Sequence, residues 1–269
     1  MGEATPAAFG EGATAALHVG DVKLQAVMRG QGDAILFLHP EIGLDPRAPF
    51  LDALADHARV LAPSHPGFDH SELPRGFNHI DDLAYCYLDL LEAYDLSNVT
   101  LVGSSLGGWI ALEMAIKSTQ RIARLVLADA YGVKFGQPTD REIADIFAQP
   151  AAELARLSYF DPALGACDGT KLTDDEAYVV ARNRESAARF GWSPYMHDTK
   201  LVARLHRIKI PTLVMWGDSD GIVKPDYGRA LAGSIPNAQF RLIERCGHYP
   251  HLERPDVFVR EVESFMRAV

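Results

Sequence analysis

The sequence predicts an α/β fold: a mostly parallel sheet with helices on both faces and a helical cap inserted over one edge. Three observations lead there. Short, mainly apolar runs recur along the chain as strand candidates: AILFLH (34–39), RVLAP (59–63), VTLVG (99–103), RLVLAD (124–129), IPTLVMWG (210–217) and QFRLIE (239–244). Helical patterns separate several of these runs, which is the signature of parallel strands joined by crossovers. The rhythm then stops between about 133 and 202, where no strand candidate occurs.

Taken in order, residues 1 to about 14 are small, polar and aperiodic and read as a flexible segment. VKLQAVMRG (22–30) and AILFLH are separated by the turn signal Gly30-Gln31-Gly32-Asp33, so a hairpin at one sheet edge is expected. DDLAYCYLDLLEAY (81–94) carries an apolar stripe of Leu83, Tyr87, Leu90, Leu91 and Tyr94 at helical spacing. After VTLVG a helix follows from Leu106, because WIALEMAI continues without Gly or Pro. In the insertion, Pro150 precedes a helical AAELARL, and Thr173 with Glu176 has capping-box spacing for a helix to about Phe190. Helices are also expected at 225–234 and 255–269. The division is a core of 15–132 and 203–269 with a cap of 133–202.

The chain has 269 residues, 48% hydrophobic and 23% charged, ordinary for a globular protein and inconsistent with disorder. A net charge of −10 argues against nucleic acid or an anionic membrane as partner, since both need clustered cations. No apolar run is long enough to span a bilayer. The N-terminal MGEATPAAFGEGATAAL has neither Lys nor Arg and no unbroken apolar core, so neither a signal peptide nor a presequence is expected. Cys86, Cys167 and Cys246 are odd in number and form no C-x-x-C pair, which fits reduced thiols in the cytoplasm.

Gly103-Ser104-Ser105-Leu106-Gly107 falls between a strand and a helix and matches G-x-S-x-G. A sharp strand-to-helix turn strains its middle residue and lifts that side chain clear of the sheet; glycines two positions either side leave room for it. Ser105 is therefore the candidate nucleophile, and the N–H of Leu106 at the new helix's start can meet an oxyanion. A serine nucleophile requires an acid and then a histidine. Asp218-Ser219-Asp220 follows the strand TLVMWG, and Arg245-Cys246-Gly247-His248 follows QFRLIE. Both lie at the carboxyl edge of the sheet, where sites form.

From about residue 22 to its end the chain resembles the α/β-hydrolase family. GSSLGG is similar to the family's nucleophile elbow, WGDSDGIV to its acid loop, CGHYPHLERP to its histidine loop G-H-x-x-x-x-E-x-P, and PSHPGFDHSELP to the loop after its fourth strand. The resemblance implies Asp220 as the acid and His248 as the base; the competing acids are Asp218, read as a solvated loop residue, and Asp129, at the end of the preceding strand. FLHP resembles the family's H-G segment, but Pro40 stands where Gly is usual, and Ser64 and Asp69 replace its usual Asp and Gly. Proline has no N–H, so the second oxyanion donor implied is the N–H of Glu41. His39 is expected to brace this loop. The Glu41 carboxylate is expected to face solvent or its own loop, because a charge beside an oxyanion hole opposes the hole's purpose; contact with the substrate or a water is the alternative. His251 is read as a loop or pocket-rim residue.

These readings imply a serine hydrolase acting on a carboxylic ester, with no cofactor and no metal. Cys246, His248 and His251 match no zinc spacing. The alternatives are a carbon–carbon bond hydrolase of dienone products of aromatic-ring breakdown, whose usual glycine-rich loop HPEIGLDP departs from, and a ligand-binding receptor on the same fold. The cap's Phe135, Phe147, Tyr159, Phe160, Tyr178, Phe190, Trp192 and Tyr195 suggest a pocket for a hydrophobic or aromatic acyl group. Arg182, Arg184 and Arg189 share the cap's long helix, where a solvated face is expected and a contact with a substrate carboxylate is the alternative.

Overall fold

The computed structural model describes residues 14–166 and 169–269. An eight-stranded sheet runs in the order β1-β2-β4-β3-β5-β6-β9-β10, built from Thr14–Val19 (β1), Val22–Arg29 (β2), Ala34–Leu38 (β3), Arg59–Pro63 (β4), Val99–Ser104 (β5), Ile122–Ala128 (β6), Thr212–Gly217 (β9) and Ala238–Ile243 (β10). Two-residue strands Gly132–Val133 (β7) and His197–Asp198 (β8) form a separate parallel pair at the two ends of the cap. β2 is antiparallel to both its neighbours; every pairing from β4 to β10 is parallel.

Strand alternation divides the core into two. Leu36, Leu38, Leu101, Leu125, Leu127, Val214 and Trp216 point to one face, and Ile35, Phe37, Val102, Val126, Leu213 and Met215 to the other. Helices α2 (Ile80–Ala93), α3 (Leu106–Lys117) and α6 (Pro225–Ser234) cover the first face. The second is covered by α1 (Pro49–Ala55) and α8 (Pro255–Ala268), through Phe50, Leu51, Phe258, Val262 and Phe265. Both faces are apolar because every crossover returns a helix to one of them, which is why these strands read as continuous hydrophobic runs.

The edge differs from the expected hairpin. β2 pairs with β1, whose TAALHV the sequence reading left unassigned, and β3 lies three strands in, between β4 and β5. AILFL has no polar residue to face water, so it takes a central position, whereas the half-exposed TAALHV suits an edge. The flexible segment expected to about residue 14 falls, apart from Thr14, outside the described residues, as does Cys167. The cap carries α4 (Ala151–Ser158) and α5 (Asp174–Gly191), the latter opened by the Thr173–Glu176 capping box. A short α7 (Pro250–Glu253) precedes α8. Among the described residues no helix is long and apolar enough to cross a membrane.

Candidate active site

Ser105 sits between β5 and α3 at φ 52°, ψ −114°, a left-handed conformation that L-residues adopt only under constraint. The constraint is packing. A Cβ on Gly103 would run into the carbonyl of Gly107, one on Gly107 into the carbonyl of Leu38, and one on Gly108 into the Ala130 methyl. The Ser105 N–H donates to Ala128 O of β6 at 2.9 Å, and its carbonyl accepts from Gly108 and Trp109. Helix α3 therefore starts directly beneath the serine, with Leu106 as its first residue.

The other two members arrive from the ends of β9 and β10. Ser105 Oγ lies 2.7 Å from His248 Nε2, and His248 Nδ1 lies 2.7 Å from Asp220 Oδ2. Asp220 Oδ1 is pinned by the N–H groups of Ile222 and Val223 at 2.8 and 3.0 Å. The last turn of α4 secures both loops, its Leu157 and Ser158 carbonyls accepting from Gly221 N–H and His248 N–H; carbonyls a helix end would leave orphaned are thereby used. Burial alone would lower the His248 pKa, but the charge and hydrogen bond of Asp220, helped by the charge of Glu41, raise it. Asp129, the alternative acid, instead accepts from Gly217 N–H at 2.9 Å. Burial and the charge of Asp220 hold its carboxyl well above the usual range, so it stays protonated.

Asp129, Asp220 and His248 bring ligand-type atoms within 4.8 Å of one another. The 2.7 Å from Nδ1 to Oδ2 is nevertheless a hydrogen-bond distance, and that bond occupies the lone pair a metal would need.

Glu41 departs from its expected orientation. Its carboxylate is buried and turned onto the nucleophile: Ser105 Oγ donates to Oε2 at 2.6 Å, Tyr131 Oη to the same oxygen at 3.3 Å, and Tyr249 Oη to Oε1 at 2.6 Å. Burial first, and the Glu41 charge second, raise both tyrosines well above their usual range, so they remain hydroxyl donors. The carboxylate is directed inward because the site offers three hydroxyls to a group that must be hydrogen-bonded if buried. Neither tyrosine was picked out from the sequence, although Tyr249 directly follows the histidine.

His39 supports the turn that carries Glu41. Its Nδ1 donates to Pro40 O at 2.6 Å, and its Nε2 accepts from His65 N–H at 2.8 Å. His65 in turn donates from Nε2 to His39 O at 2.9 Å and accepts at Nδ1 from Tyr87 Oη at 2.6 Å. Carbonyls can only accept, so both tautomers are fixed; burial lowers both pKa values and keeps the rings neutral. Asp69, at φ 47° where the resemblance leads one to expect Gly, explains its own presence. Its carboxylate accepts from Leu44 N–H and from the Asn183 amide of α5, and Asn183 also donates to Ile42 O. Cap and oxyanion turn are thus clasped through one side chain.

The cap arginines are engaged elsewhere: Arg182 on the Ser71 carbonyl, Arg184 on the Phe147 carbonyl, and Arg189 beside Glu185. Of the cap aromatics, Tyr159 packs on Tyr249 next to the site and Phe190 on Phe68, while Phe160, Tyr178 and Trp192 are exposed. Ser105 and His248 have no exposed surface, so access requires the cover over them to move.

His251 is not at a rim. It is buried among Phe37, Phe50, Tyr249 and Phe258, with one long contact from Nδ1 to Ser104 Oγ at 3.4 Å. Burial first, and then the nearby imidazoles of His248 and His39, push its pKa down to about 3. The unfolded chain takes up this proton near pH 6.5 and the fold cannot, so stability present above pH 6.5 drains at about 1.4 kcal/mol per pH unit toward pH 3. His251→Phe should flatten that slope. Thermal melts of both proteins from pH 7 to pH 4 check it; parallel losses would exclude this histidine as the cause.

Comparison with known proteins places this geometry among relatives. The pattern of the alpha/beta hydrolase fold matches residues 33–255. The chain is 30% identical to 2-hydroxymuconate semialdehyde hydrolase of Pseudomonas putida over 219 residues, 77% of this chain and 76% of that one. It is 28% identical to 2-hydroxy-6-oxo-6-phenylhexa-2,4-dienoate hydrolase of Comamonas testosteroni over 267 residues, 88% and 89% of the two chains. Among solved structures, the meta-cleavage product hydrolase of Pseudomonas fluorescens IP01 superposes with a TM-score of 0.76 at 22% identity, covering 95% of this chain and 97% of that one. A thermophilic esterase from Thermogutta terrifontis gives 0.70, also at 22% identity, over 95% and 98%.

Proposed function

The chain belongs to the α/β-hydrolase fold family, and from that premise we propose that it is a serine hydrolase breaking the carbon–carbon bond beside the ketone of a meta-cleavage-type dienone. The observation that carries the reading is the unbroken relay from Ser105 through His248 to Asp220, 2.7 Å at each step. That relay supports acyl transfer through a covalent serine intermediate. Relatives named as hydrolases of a muconate semialdehyde and of a 2-hydroxy-6-oxo dienoate support the choice of bond over the ester expected from sequence.

The chemistry follows from the groups present. Ser105 Oγ adds to the ketone, and the N–H groups of Leu106 and Glu41 are assigned to the resulting oxyanion. The leaving carbon needs an electron sink, so the 2-hydroxy dienone first passes to its 2-oxo tautomer, losing the hydroxyl proton and gaining one on the carbon beside the ketone. Collapse then breaks the bond to that carbon, which leaves as a dienolate conjugated to the 2-oxo group and takes a proton from His248. Water, deprotonated by His248, then releases the acid from the serine. Every step is addition, elimination or proton transfer, so the reading calls on no cofactor. We take the acyl part to be hydrophobic or aromatic, given Tyr131, Tyr159 and Tyr249 around the serine.

One observation favours an ester as second reading. A dienoate carries a carboxylate, whereas the cap arginines are committed elsewhere and the site already holds Glu41; a neutral ester meets no such repulsion. The deciding experiment incubates the protein with a 2-hydroxy-6-oxo-dienoate, following loss of its visible absorbance, and in parallel with p-nitrophenyl esters of graded acyl size. Bleaching of the dienoate is expected. Turnover of the esters alone would replace the first reading by the second.

A further inference from the structure

Ser105 has one hydroxyl proton and two acceptors in contact with its oxygen, Glu41 Oε2 at 2.6 Å and His248 Nε2 at 2.7 Å. Both distances are those of hydrogen bonds, and two atoms facing each other with lone pairs alone repel at that range. The pair of contacts therefore contains two protons, one more than a triad with a neutral imidazole supplies. With Asp220 accepting from Nδ1, the arrangement that leaves both carboxylates charged puts the second proton on Nε2, pointing at Oγ, and the serine proton on the bond to Glu41.

We propose that Glu41 is a fourth catalytic group: it takes the Ser105 proton during attack, while His248, protonated at rest, gives its own proton to the leaving group. The proposal rests on the acyl-transfer reading above and gives the proton traffic of that site. In the acylation half, the Oγ–H bond breaks as Oγ–C forms and the proton passes to Oε2; the bond to the leaving atom breaks and that atom receives the Nε2 proton. In the second half, water gives a proton to the now neutral Nε2 and its oxygen to the acyl carbon; Oγ departs and recovers its proton from Glu41. One water is consumed, and both carriers end as they began.

This assignment also removes the conflict that made the carboxylate unexpected. A charged Glu41 next to the N–H groups of Leu106 and Glu41 itself would oppose an oxyanion. If Glu41 receives the serine proton, it becomes neutral in the step that creates the oxyanion, so negative charge moves from one to the other instead of accumulating. Tyr131 and Tyr249 hold the carboxylate in place for the transfer from opposite oxygens.

The test uses Glu41→Gln, which keeps the shape and abolishes the base. Its readouts are the rate of Ser105 labelling by a fluorophosphonate and the kcat on whichever substrate the wild type turns over, each from pH 5 to 10. Loss of one general base corresponds to a fall of roughly a hundredfold or more, with KM nearly unchanged. The wild-type rate should decline on the alkaline side, where the Nε2 proton is lost. The residual rate of the variant should instead climb over that range, because neutral His248 must then act as the base. Tyr249→Phe, which loosens Glu41 without removing it, should slow labelling severalfold and keep the wild-type pH profile. Wild-type labelling rates and an unaltered profile in Glu41→Gln would overturn the proposal. So would faster labelling in Glu41→Ala, which would make the carboxylate a plug over the serine. Labelling needs no particular substrate, so a wild type that labels but bleaches no dienoate and cleaves no ester refutes the proposed function and leaves the result on Glu41 standing.

Discussion

Ser105→Ala is expected to lower kcat by at least about a thousandfold, the scale set by removing one member of a catalytic triad, and to abolish fluorophosphonate labelling. The fold should survive the change. Alanine fits the left-handed elbow no worse than serine, and every backbone bond that fixes the turn, from Ser105 N–H to Ala128 O and from Gly108 and Trp109 to the Ser105 carbonyl, is independent of the side chain. With Oγ gone, Glu41 and His248 face each other across the space it filled, as an anion and a cation. The melting temperature should accordingly stay near that of the wild type. Undiminished turnover by a well-folded variant would end the assignment of the nucleophile.

Ser105, Asp220 and His248 could be read from the chain because each terminates a recognisable strand, and parallel strands bring their carboxyl ends to one edge whatever lies between them in sequence. Local spacing, G-x-S-x-G, then supplied Ser105, and the resemblance of WGDSDGIV and CGHYPHLERP to the family's acid and histidine loops supplied Asp220 and His248. What could not be read were the groups whose positions depend on side-chain direction. HPE fixes where Glu41 is along the backbone, but its carboxylate points inward only because Tyr131 and Tyr249, 90 and 208 positions away, offer it hydroxyls. His65 went unremarked and Tyr87 was read only as part of an apolar stripe, since the ring stacked on His39 at 3.7 Å and its bond to Tyr87 Oη reveal themselves only in three dimensions. Asp69 was visible as an oddity, yet its purpose depends on Asn183, 114 residues on. The edge strand β1 was missed for a different reason: short, half-exposed strands of small residues carry little hydrophobic signal, and their pairing partner supplies most of the order.

The acid can be identified by a pair of substitutions. Asp220→Asn should reduce kcat by about ten-thousandfold, the scale found when the acid of a triad is neutralised with its geometry kept. The amide would donate to Nδ1 instead of accepting from it, so the ring would hold no proton there and could give up its Nε2 proton only as an imidazolate. No other group can take over that acceptance. Asp129 lies beside the pair, but its Oδ1 is committed to Gly217 N–H, and its Oδ2 lacks any partner as a carboxylate oxygen while it can donate to Asp220 as a carboxylic hydroxyl. Asp129→Asn preserves both interactions, so its kcat should fall within a few-fold of the wild type.

Stability separates the two as well. A carboxyl whose pKa is raised on folding is ionised in the unfolded chain before it is in the fold, so Asp129 costs stability as pH rises above its ordinary 3.8. Asn at 129 removes that cost and should raise the melting temperature at neutral pH, whereas Asn at 220 removes the carboxylate that keeps buried His248 charged and should lower it. Parallel kinetics and melts of the two variants check both statements. Collapse of activity in Asp129→Asn with Asp220→Asn left near the wild type would place the acid at 129, at the end of β6, and would make the 2.7 Å bond between Asp220 and His248 incidental to catalysis.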